Sequence, residues 1–269
     1  MIDRIRLEKI VREAGRIAMA SWPGDGHAPE VWEKTPGDPV SEVDLAVDSF
    51  LRRELSALLP AAGWLSEETI DAPDRLGQDG LGGGLLWLVD PIDGTRDYVR
   101  GRRGWAVSVA LVSGGKPLIG MLAAPAQSPE QGGQFWHGEA GQGSWRNGER
   151  LVASQRQELP GARVPARIRP TTQSDLVFVD QPNSIALRMA MVAADEADMV
   201  ATMRWGFEWD LGAAALIARE AGAEVTDVFG KPLSYNKRIP RDFGVLVSAP
   251  AIHAAAVDRL AEQARAAAG

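Results

Sequence analysis

The sequence predicts an α/β protein whose N-terminal half is of the α+β type. Between residues 175 and 228, segments typical of strands and helices alternate, as they do in α/β folds. Nearer the N-terminus, two amphipathic helical patterns precede a group of short apolar segments typical of buried strands. The chain of 269 residues is long enough for one large domain or two small ones.

The N-terminal half begins with a predicted helix, in which residues 7, 10, 11, 14 and 18 form one apolar face. A Pro- and Gly-rich stretch over 22–30 then predicts a loop. The other predicted elements of this half are a strand with a turn over 31–40, a helix over 42–59, strands over 63–66, 85–89, 105–112 and 117–123, a loop over 71–84, and a hairpin over 144–151.

Two turns predict hairpins. The sequence Ser-Gly-Gly-Lys over 113–116 joins two of the apolar strands, and Asn147-Gly148 is typical of a tight turn between paired strands. Pro91 is expected to end the ladder of the strand over 85–89, because proline donates no backbone hydrogen bond.

The C-terminal half follows a stretch rich in Arg and Pro over 156–173, which favours a crossing between subdomains. We therefore divide the chain into an N-terminal subdomain over 1–155 and a C-terminal subdomain over 156–269. The second is predicted to contain strands over 175–180, 199–203, 223–228 and 244–248, helices over 184–196 and 211–221, and a final helix with Ser248 as its cap.

Composition excludes several kinds of chemistry. The chain has no cysteine, which excludes disulfides, zinc–thiolate sites and cysteine nucleophiles, and it has only three scattered histidines. The net charge of −7 disfavours binding to a nucleic-acid polymer. A charged N-terminus without a signal-peptide core and the lack of a long apolar run predict a cytoplasmic protein that does not span a membrane.

The segment LLWLVDPIDGTRDY over 85–98 carries the strongest chemical signal. An apolar strand ends at Asp90, and Asp93 follows three residues later. Carboxylate oxygens are the ligands that Mg²⁺ prefers, and the Gly94-Thr95 step at a predicted helix start offers N–H groups that can bind phosphate. The alternative is a strand–turn–helix in which both Asp residues only form turns and caps.

Two further acidic positions fit the first interpretation. Glu67 follows the strand over 63–66, and Asp210 precedes the helix over 211–221 at the position of an N-cap. The alternatives are a solvated charge at Glu67 and simple capping at Asp210.

Four segments together resemble the inositol monophosphatase superfamily of magnesium-dependent, lithium-sensitive phosphatases. They are KTPGDPVSEVD from Lys34 to Asp44, WLSEE over 64–68, DPIDGT over 90–95 and WDLGAAALIAREAGAEVTD over 209–227, with Ser41 where the family usually has Thr. The resemblance implies an α/β/α/β/α sandwich and commonly a homodimer.

The resemblance also implies roles for individual residues. Glu67, Asp90 and the carbonyl of Ile92 would hold one Mg²⁺, and Asp90, Asp93 and Asp210 a second, while Asp44 would act on a weaker third site. Glu67 and Thr95, the latter oriented by Asp44, would position the attacking water. Asp93, Gly94 and Thr95 would bind the phosphate, and Li⁺ would inhibit the enzyme.

The substrate is a small phosphate monoester under this resemblance, but two branches of the family compete. Glu208-Trp209-Asp210 and the stretch Lys231 to Lys237 resemble the CysQ-like branch, which removes the 3′-phosphate of 3′-phosphoadenosine 5′-phosphate. Glu208 becomes a candidate substrate contact on this basis. Inositol phosphatases often carry Glu where this chain has Met203.

Three functions therefore stand side by side. The nucleotidase is favoured over an inositol monophosphatase or a sugar phosphatase of broad range. A member that binds phosphate without catalysis is the third alternative, and magnesium-dependent phosphate release would separate it from the other two.

Overall fold

The computed structural model of the chain describes residues 2–25, 31–35, 38–69, 84–166 and 174–269. Most of the predicted loop over 71–84 and part of that over 22–30 lie outside the described residues. The helices are α1 (Arg4–Ala20), α2 (Glu42–Leu58), α3 (Thr95–Tyr98), α4 (Ile185–Ala193), α5 (Glu208–Glu220) and α6 (Pro250–Ala268). None of these helices is both long and apolar enough to cross a membrane.

The strands form two main sheets and two small pairs. In chain order they are β1 (Val31–Thr35), β2 (Asp38–Ser41), β3 (Gly63–Ser66), β4 (Leu85–Asp93), β5 (Ala106–Ser113), β6 (Lys116–Ala124), β7 (Gln134–Glu139), β8 (Gly143–Arg146), β9 (Glu149–Arg150), β10 (Arg163–Pro165), β11 (Val177–Val179), β12 (Met199–Phe207), β13 (Glu224–Thr226) and β14 (Arg241–Ser248).

Helices and sheets alternate in five layers. A seven-stranded sheet has its strands in sequence order from β3 to β9, with β3 and β4 parallel and every other pair antiparallel. Helices α1 and α2 cover one face and α4 and α5 the other. The antiparallel sheet β12–β14–β13 lies beyond α4 and α5, and α6 packs on its outer face. The predicted α/β/α/β/α sandwich is confirmed.

Strand β4 is apolar on both sides because both faces of its sheet are covered. Trp87 and Val89 pack in the core shared with α1 and α2, whereas Leu86 and Leu88 pack in the core shared with α4 and α5. A strand of this kind shows a continuous apolar run instead of alternation. That pattern made β4 the clearest strand in the sequence.

Small residues let α5 approach the central sheet closely. A β-carbon on Gly120 of β6 would lie 2.6 Å from the backbone oxygen of Ala213 on α5. On the helix side, a β-carbon on Gly212 would lie 2.9 Å from a methyl carbon of Leu88. The Gly-Ala-Ala-Ala run in α5 therefore sets how near the helix, and the residues at its start, come to β4.

Three predicted boundaries were wrong. Strand β4 continues past Pro91 to Asp93 through an irregularity in its pairing with β5. Strand β12 is longer than predicted, so that α5 begins at Glu208, and Asp210 is the third residue of the helix rather than its cap. The N-cap of α6 is Ala249, while the Ser248 hydroxyl lies 2.8 Å from the buried His253 ring.

The sequence also left elements unassigned. Strand β7 lies between β6 and β8, and its Phe135 and Trp136 are buried on opposite faces of the sheet. The helix expected after Gly94 is only the four-residue α3. The division into subdomains at residues 155 and 156 stays a prediction. Helix α5 from the second half shares a core with the sheet of the first half.

We expect Gly120→Ala to lower the free energy of unfolding by about 1–3 kcal/mol, because the added methyl collides with the α5 backbone. Gly63→Ala on β3 is the matched control, since the nearest atom to its added carbon is a flexible leucine methyl at 3.2 Å. Thermal melts of both variants measure the difference. Equal melting temperatures would mean that α5 does not depend on this close approach.

Candidate metal and phosphate site

A cavity of about 420 Å³ opens where the end of β4, the end of β12 and the start of α5 meet. Four of the acidic residues singled out from the sequence line it: Glu67, Asp90, Asp93 and Asp210. The other lining residues are Ile92, Gly94, Thr95, Arg96, Asn183, Ile185, Thr202, Arg204, Trp205, Gly206, Phe207, Trp209, Leu211, Gly244 and Val245.

A bulge in β4 explains how Asp90 and Asp93 reach the same cavity. Residues three apart on a regular strand point to opposite faces, but Asp90 pairs with Ser108 while Asp93 pairs with Ala106. One extra residue on β4 therefore turns the strand locally, as bulges do. The Asp90 carboxylate accepts a hydrogen bond of 2.9 Å from the Ile92 backbone N–H, which fixes it within the bulge.

Asp93 joins the bulge to the start of α4. Its carboxylate accepts hydrogen bonds from the Ser184 hydroxyl at 2.5 Å and from the backbone N–H groups of Ile185 at 3.2 Å and Ala186 at 2.7 Å. A carboxylate at a helix N-terminus is stabilised by the unsatisfied N–H groups there. Asp93 thus has a structural role at α4 in addition to the role predicted for it.

Asp210 reaches the cavity from the other side. It is the third residue of α5, and its carboxylate accepts a 3.1 Å hydrogen bond from the Phe207 backbone N–H. Its position therefore depends on the close packing of α5 on the sheet. Glu67 follows β3, and its backbone N–H donates to the Val89 carbonyl at 3.1 Å, which ties it to β4.

Burial raises the pKa values of the three aspartates, and repulsion between charges adds to the shift for Asp90 and Asp210. Burial raises the pKa of Asp90 well above its usual range, and the charges of Glu67, Asp93 and Asp210 raise it further. Burial, followed by the charges of Asp93 and Glu67, likewise raises the pKa of Asp210. The pKa of Asp93 is raised by burial in spite of its hydrogen bonds with α4.

The donor set suits a hard divalent cation, since it consists of carboxylate oxygens with no sulfur or imidazole. The raised pKa values show the cost of confining these charges together, which a cation would remove. As they stand, however, no three carboxylate or imidazole groups of the described residues are arranged around one ion position. Asp93 and Asp210 also accept hydrogen bonds from backbone N–H groups, which use only part of the acceptor capacity of each carboxylate.

Gly94 and Thr95 form the tight turn beside the acids. Gly94 has φ of +96°, and a β-carbon there would lie 2.6 Å from the Gly104 oxygen, so only glycine fits. The Thr95 hydroxyl donates a 3.0 Å hydrogen bond to the Ile92 carbonyl. The phosphate-binding role of the turn stays a prediction.

Asp44 is not among the residues that line the cavity. It is buried at the start of α2, where its carboxylate accepts from the Ser41 N–H at 2.8 Å and forms a capping box. Its charge contributes, after burial, to raising the pKa of Tyr98 at the end of α3. That Asp44 orients Thr95 stays a prediction. The side chain of Lys34, at the start of the same sequence segment, lies outside the described residues.

Glu208 also lies outside the cavity. It is completely buried, and its carboxylate accepts hydrogen bonds from the backbone N–H groups of Asn236 at 2.6 Å and Lys237 at 3.0 Å. Glu208 therefore fixes a loop, and the geometry gives no support to its assignment as a substrate contact. Its two partners belong to the Lys231–Lys237 stretch, so both sequence features of the nucleotidase branch reflect one structural contact.

Sequence reasoning missed several residues on the rim of the cavity. Arg204, Trp205 and Phe207 lie on the part of β12 that was not predicted as a strand. The alternation of polar and aromatic residues in this stretch was the available signal. Arg96 also lines the cavity, whereas Arg102 and Arg103 line a separate one beside Trp136.

Comparison with known proteins identifies the family and the fold. The sequence model of the "Inositol monophosphatase family" matches residues 4–267. The chain belongs to the inositol monophosphatase family. It is therefore a metal-dependent phosphoric monoester hydrolase, and the alternative of a phosphate-binding protein without catalysis falls away.

The relatives that this chain resembles differ in the substrates that they are named for. The chain is 30% identical over 245 residues to the fructose-1,6-bisphosphatase/inositol-1-monophosphatase of Thermotoga maritima, covering 86% of this chain and 87% of that protein. It is 30% identical over 253 residues to the 3′(2′),5′-bisphosphate nucleotidase CysQ of Escherichia coli K12, covering 88% and 95%. A solved Thermotoga maritima IMPase superposes with a TM-score of 0.78 and 27% identity over 98% of this chain and all of that one.

We expect Asp90→Asn and Asp93→Asn to affect the metal-free protein in opposite directions. Asp90→Asn removes one of four crowded charges and keeps the oxygen that accepts from Ile92, so it should melt at or above the wild-type temperature. Asp93→Asn places an amide N–H₂ against donors at the start of α4, which should cost about 1–3 kcal/mol. Calorimetry in a chelator compares the two, and equal destabilisation by both would contradict this assignment.

Proposed function

We propose that this phosphatase removes the 3′-phosphate of 3′-phosphoadenosine 5′-phosphate. The observation that carries the proposal is the charge distribution of the cavity. Four carboxylates line it, which suit metal and one phosphate, and Arg96 and Arg204 line it too. The positive charges of these two arginines suit a substrate with a second phosphate. The similarity to CysQ over 95% of its length agrees with this substrate.

A second candidate is hydrolysis of inositol monophosphates or sugar phosphates. It is favoured by equal identity to the Thermotoga maritima fructose-1,6-bisphosphatase/inositol-1-monophosphatase. The nucleotidase is preferred because Met203 stands where inositol phosphatases often carry Glu. The sequence similarity around Glu208 and Lys237 counts only once toward this preference, since the two features form one contact.

In the proposed mechanism, Glu67, Asp90, Asp93, Asp210 and the Ile92 carbonyl would hold two Mg²⁺ ions, with a third near Asp44. Bound Mg²⁺ supplies charge neutralisation, activation of water and stabilisation of the leaving oxygen. The chain itself orients the reactants: backbone N–H groups of the Asp93-to-Thr95 turn hold phosphate oxygens, and the side chains of Glu67 and Thr95 accept and direct the protons of the attacking water.

The family resemblance also predicts an inhibitor and an assembly state for this protein, and the sequence predicts a cellular location. We expect inhibition by Li⁺, a homodimer, and a cytoplasmic location in which a small phosphorylated metabolite is the partner.

The direct test of substrate is a side-by-side measurement of kcat/KM on 3′-phosphoadenosine 5′-phosphate, inositol 1-phosphate and fructose 1,6-bisphosphate with Mg²⁺. The bisphosphate nucleotide should be preferred by at least tenfold; a preference for either other substrate would refute the nucleotidase assignment.

Thr95 provides a test of the catalytic arrangement. Thr95→Ala keeps the backbone N–H for phosphate and removes the hydroxyl, so KM should change little while kcat falls by about 10² or more. Thr95→Ser keeps the hydroxyl and should recover much of the rate. If the hydroxyl serves only the 3.0 Å bond to the Ile92 carbonyl, Thr95→Ala will lose stability while kcat stays normal. Turnover and melting temperature of both variants decide between these roles.

A further inference from the structure

The cavity has an aromatic rim that the hydrolysis of a phosphate does not need. Trp205 lines the cavity and has 52% of its surface exposed, and Phe207, two residues further along β12, is 40% exposed. Large aromatic side chains bury apolar surface in most positions of a folded protein. Two exposed rings beside the same cavity therefore point to a ligand with an apolar surface.

The Trp205 ring is held from two sides. The Arg241 guanidinium lies 4.4 Å from the ring centroid, and the Phe243 ring meets it edge to face at 5.5 Å and 78°. Both partners come from β14, which pairs with β12 so that Trp205 stands opposite Phe243. Cation–π and edge contacts of this kind fix the orientation of the ring without covering all of it.

Phe207 is held in a similar manner. Its ring stacks on that of Trp209 with centroids 4.5 Å apart and planes within 4° of each other. Trp209 is buried in the core between α5 and the central sheet. Both rings on the rim are thus packed against neighbouring side chains without a ligand, an arrangement that lowers the entropy cost of stacking.

We propose that Trp205, braced by Arg241 and Phe243, is a specificity-determining residue that stacks on a planar heteroaromatic base of the substrate. This inference rests on the proposed nucleotidase function and adds the part of the site that recognises the base. The acids of the cavity hold the phosphate to be removed, and the ring on the rim holds the base. Sugars and cyclitols lack the flat π face on which such stacking depends.

Calorimetric titration with 5′-AMP, in the presence of Mg²⁺, tests the base contact without turnover. Ribose 5-phosphate serves as the ligand without a base. Trp205→Ala should weaken 5′-AMP binding by about tenfold or more, the size expected for loss of one stacked base. Trp205→Phe keeps a ring and should retain most of the affinity. Ribose 5-phosphate should bind all of these variants equally.

Trp145→Ala is the matched control. Trp145 lies on β8 near the far edge of the central sheet, stacks on His137 at 4.9 Å, and does not line the cavity. Its replacement should leave 5′-AMP binding unchanged. Melting temperatures of the variants verify that each is folded before binding is compared.

Kinetics then separate this inference from the proposed function. With 3′-phosphoadenosine 5′-phosphate, Trp205→Ala should raise KM by the same factor while kcat changes little; with inositol 1-phosphate, neither should change. Hydrolysis of the nucleotide with an unaltered KM in Trp205→Ala would overturn the base contact and leave the nucleotidase standing. If 5′-AMP binding depends on Trp205 but the enzyme does not hydrolyse the nucleotide, the base contact stands and the nucleotidase assignment is overturned. Failure of the wild type to bind 5′-AMP would overturn the base contact.

Discussion

The arrangement of the candidate site depends on the contact between α5 and the central sheet. Glycine at positions 120 and 212 lets the helix lie against β4 and β6 with no room for a further methyl group. The helix belongs to the C-terminal part of the chain, yet its core is shared with the sheet of the N-terminal part. As a result Asp210, near the start of α5, lines the same cavity as Asp90 and Asp93 on β4. The closeness of α5 to the sheet therefore sets the distance between Asp210 and the two aspartates of β4.

That arrangement has an electrostatic cost, which the fold meets with backbone hydrogen bonds. Each of the three aspartates accepts from at least one backbone N–H: Ile92 for Asp90, Ile185 and Ala186 for Asp93, and Phe207 for Asp210. Such bonds favour the ionised form, but burial still raises the pKa of each aspartate, and repulsion raises it further for Asp90 and Asp210. A divalent cation would remove the repulsion between these charges, which is why we propose this cluster as the metal site of the phosphatase.

The main elements and the acidic positions could be recognised in the sequence because their signals are local, whereas the five layers were predicted from the family resemblance. Strand β4 has a continuous apolar run, α1 and α2 each have an apolar face, and Asp90, Asp93 and Asp210 lie near the end of β4 or the start of α5. The β4 bulge was not predicted, because Pro91 suggested an end to the strand instead of a shift in its pairing. The far end of β12 was missed because its aromatic residues are exposed around the cavity and alternate with other residues, so that they form no continuous apolar run. The structural role of Glu208 was not predicted, because its partners lie 28 and 29 residues away in the sequence.

We propose that Glu67, Asp90, Asp93 and Asp210 form one divalent-cation site at which the phosphate is hydrolysed. Anomalous diffraction from crystals grown with Mn²⁺ in place of Mg²⁺ tests this site most directly. We expect anomalous peaks inside the cavity, with carboxylate oxygens of these four residues at about 2.1 Å from the ions. An active enzyme whose crystals show no Mn²⁺ in this cavity would contradict it.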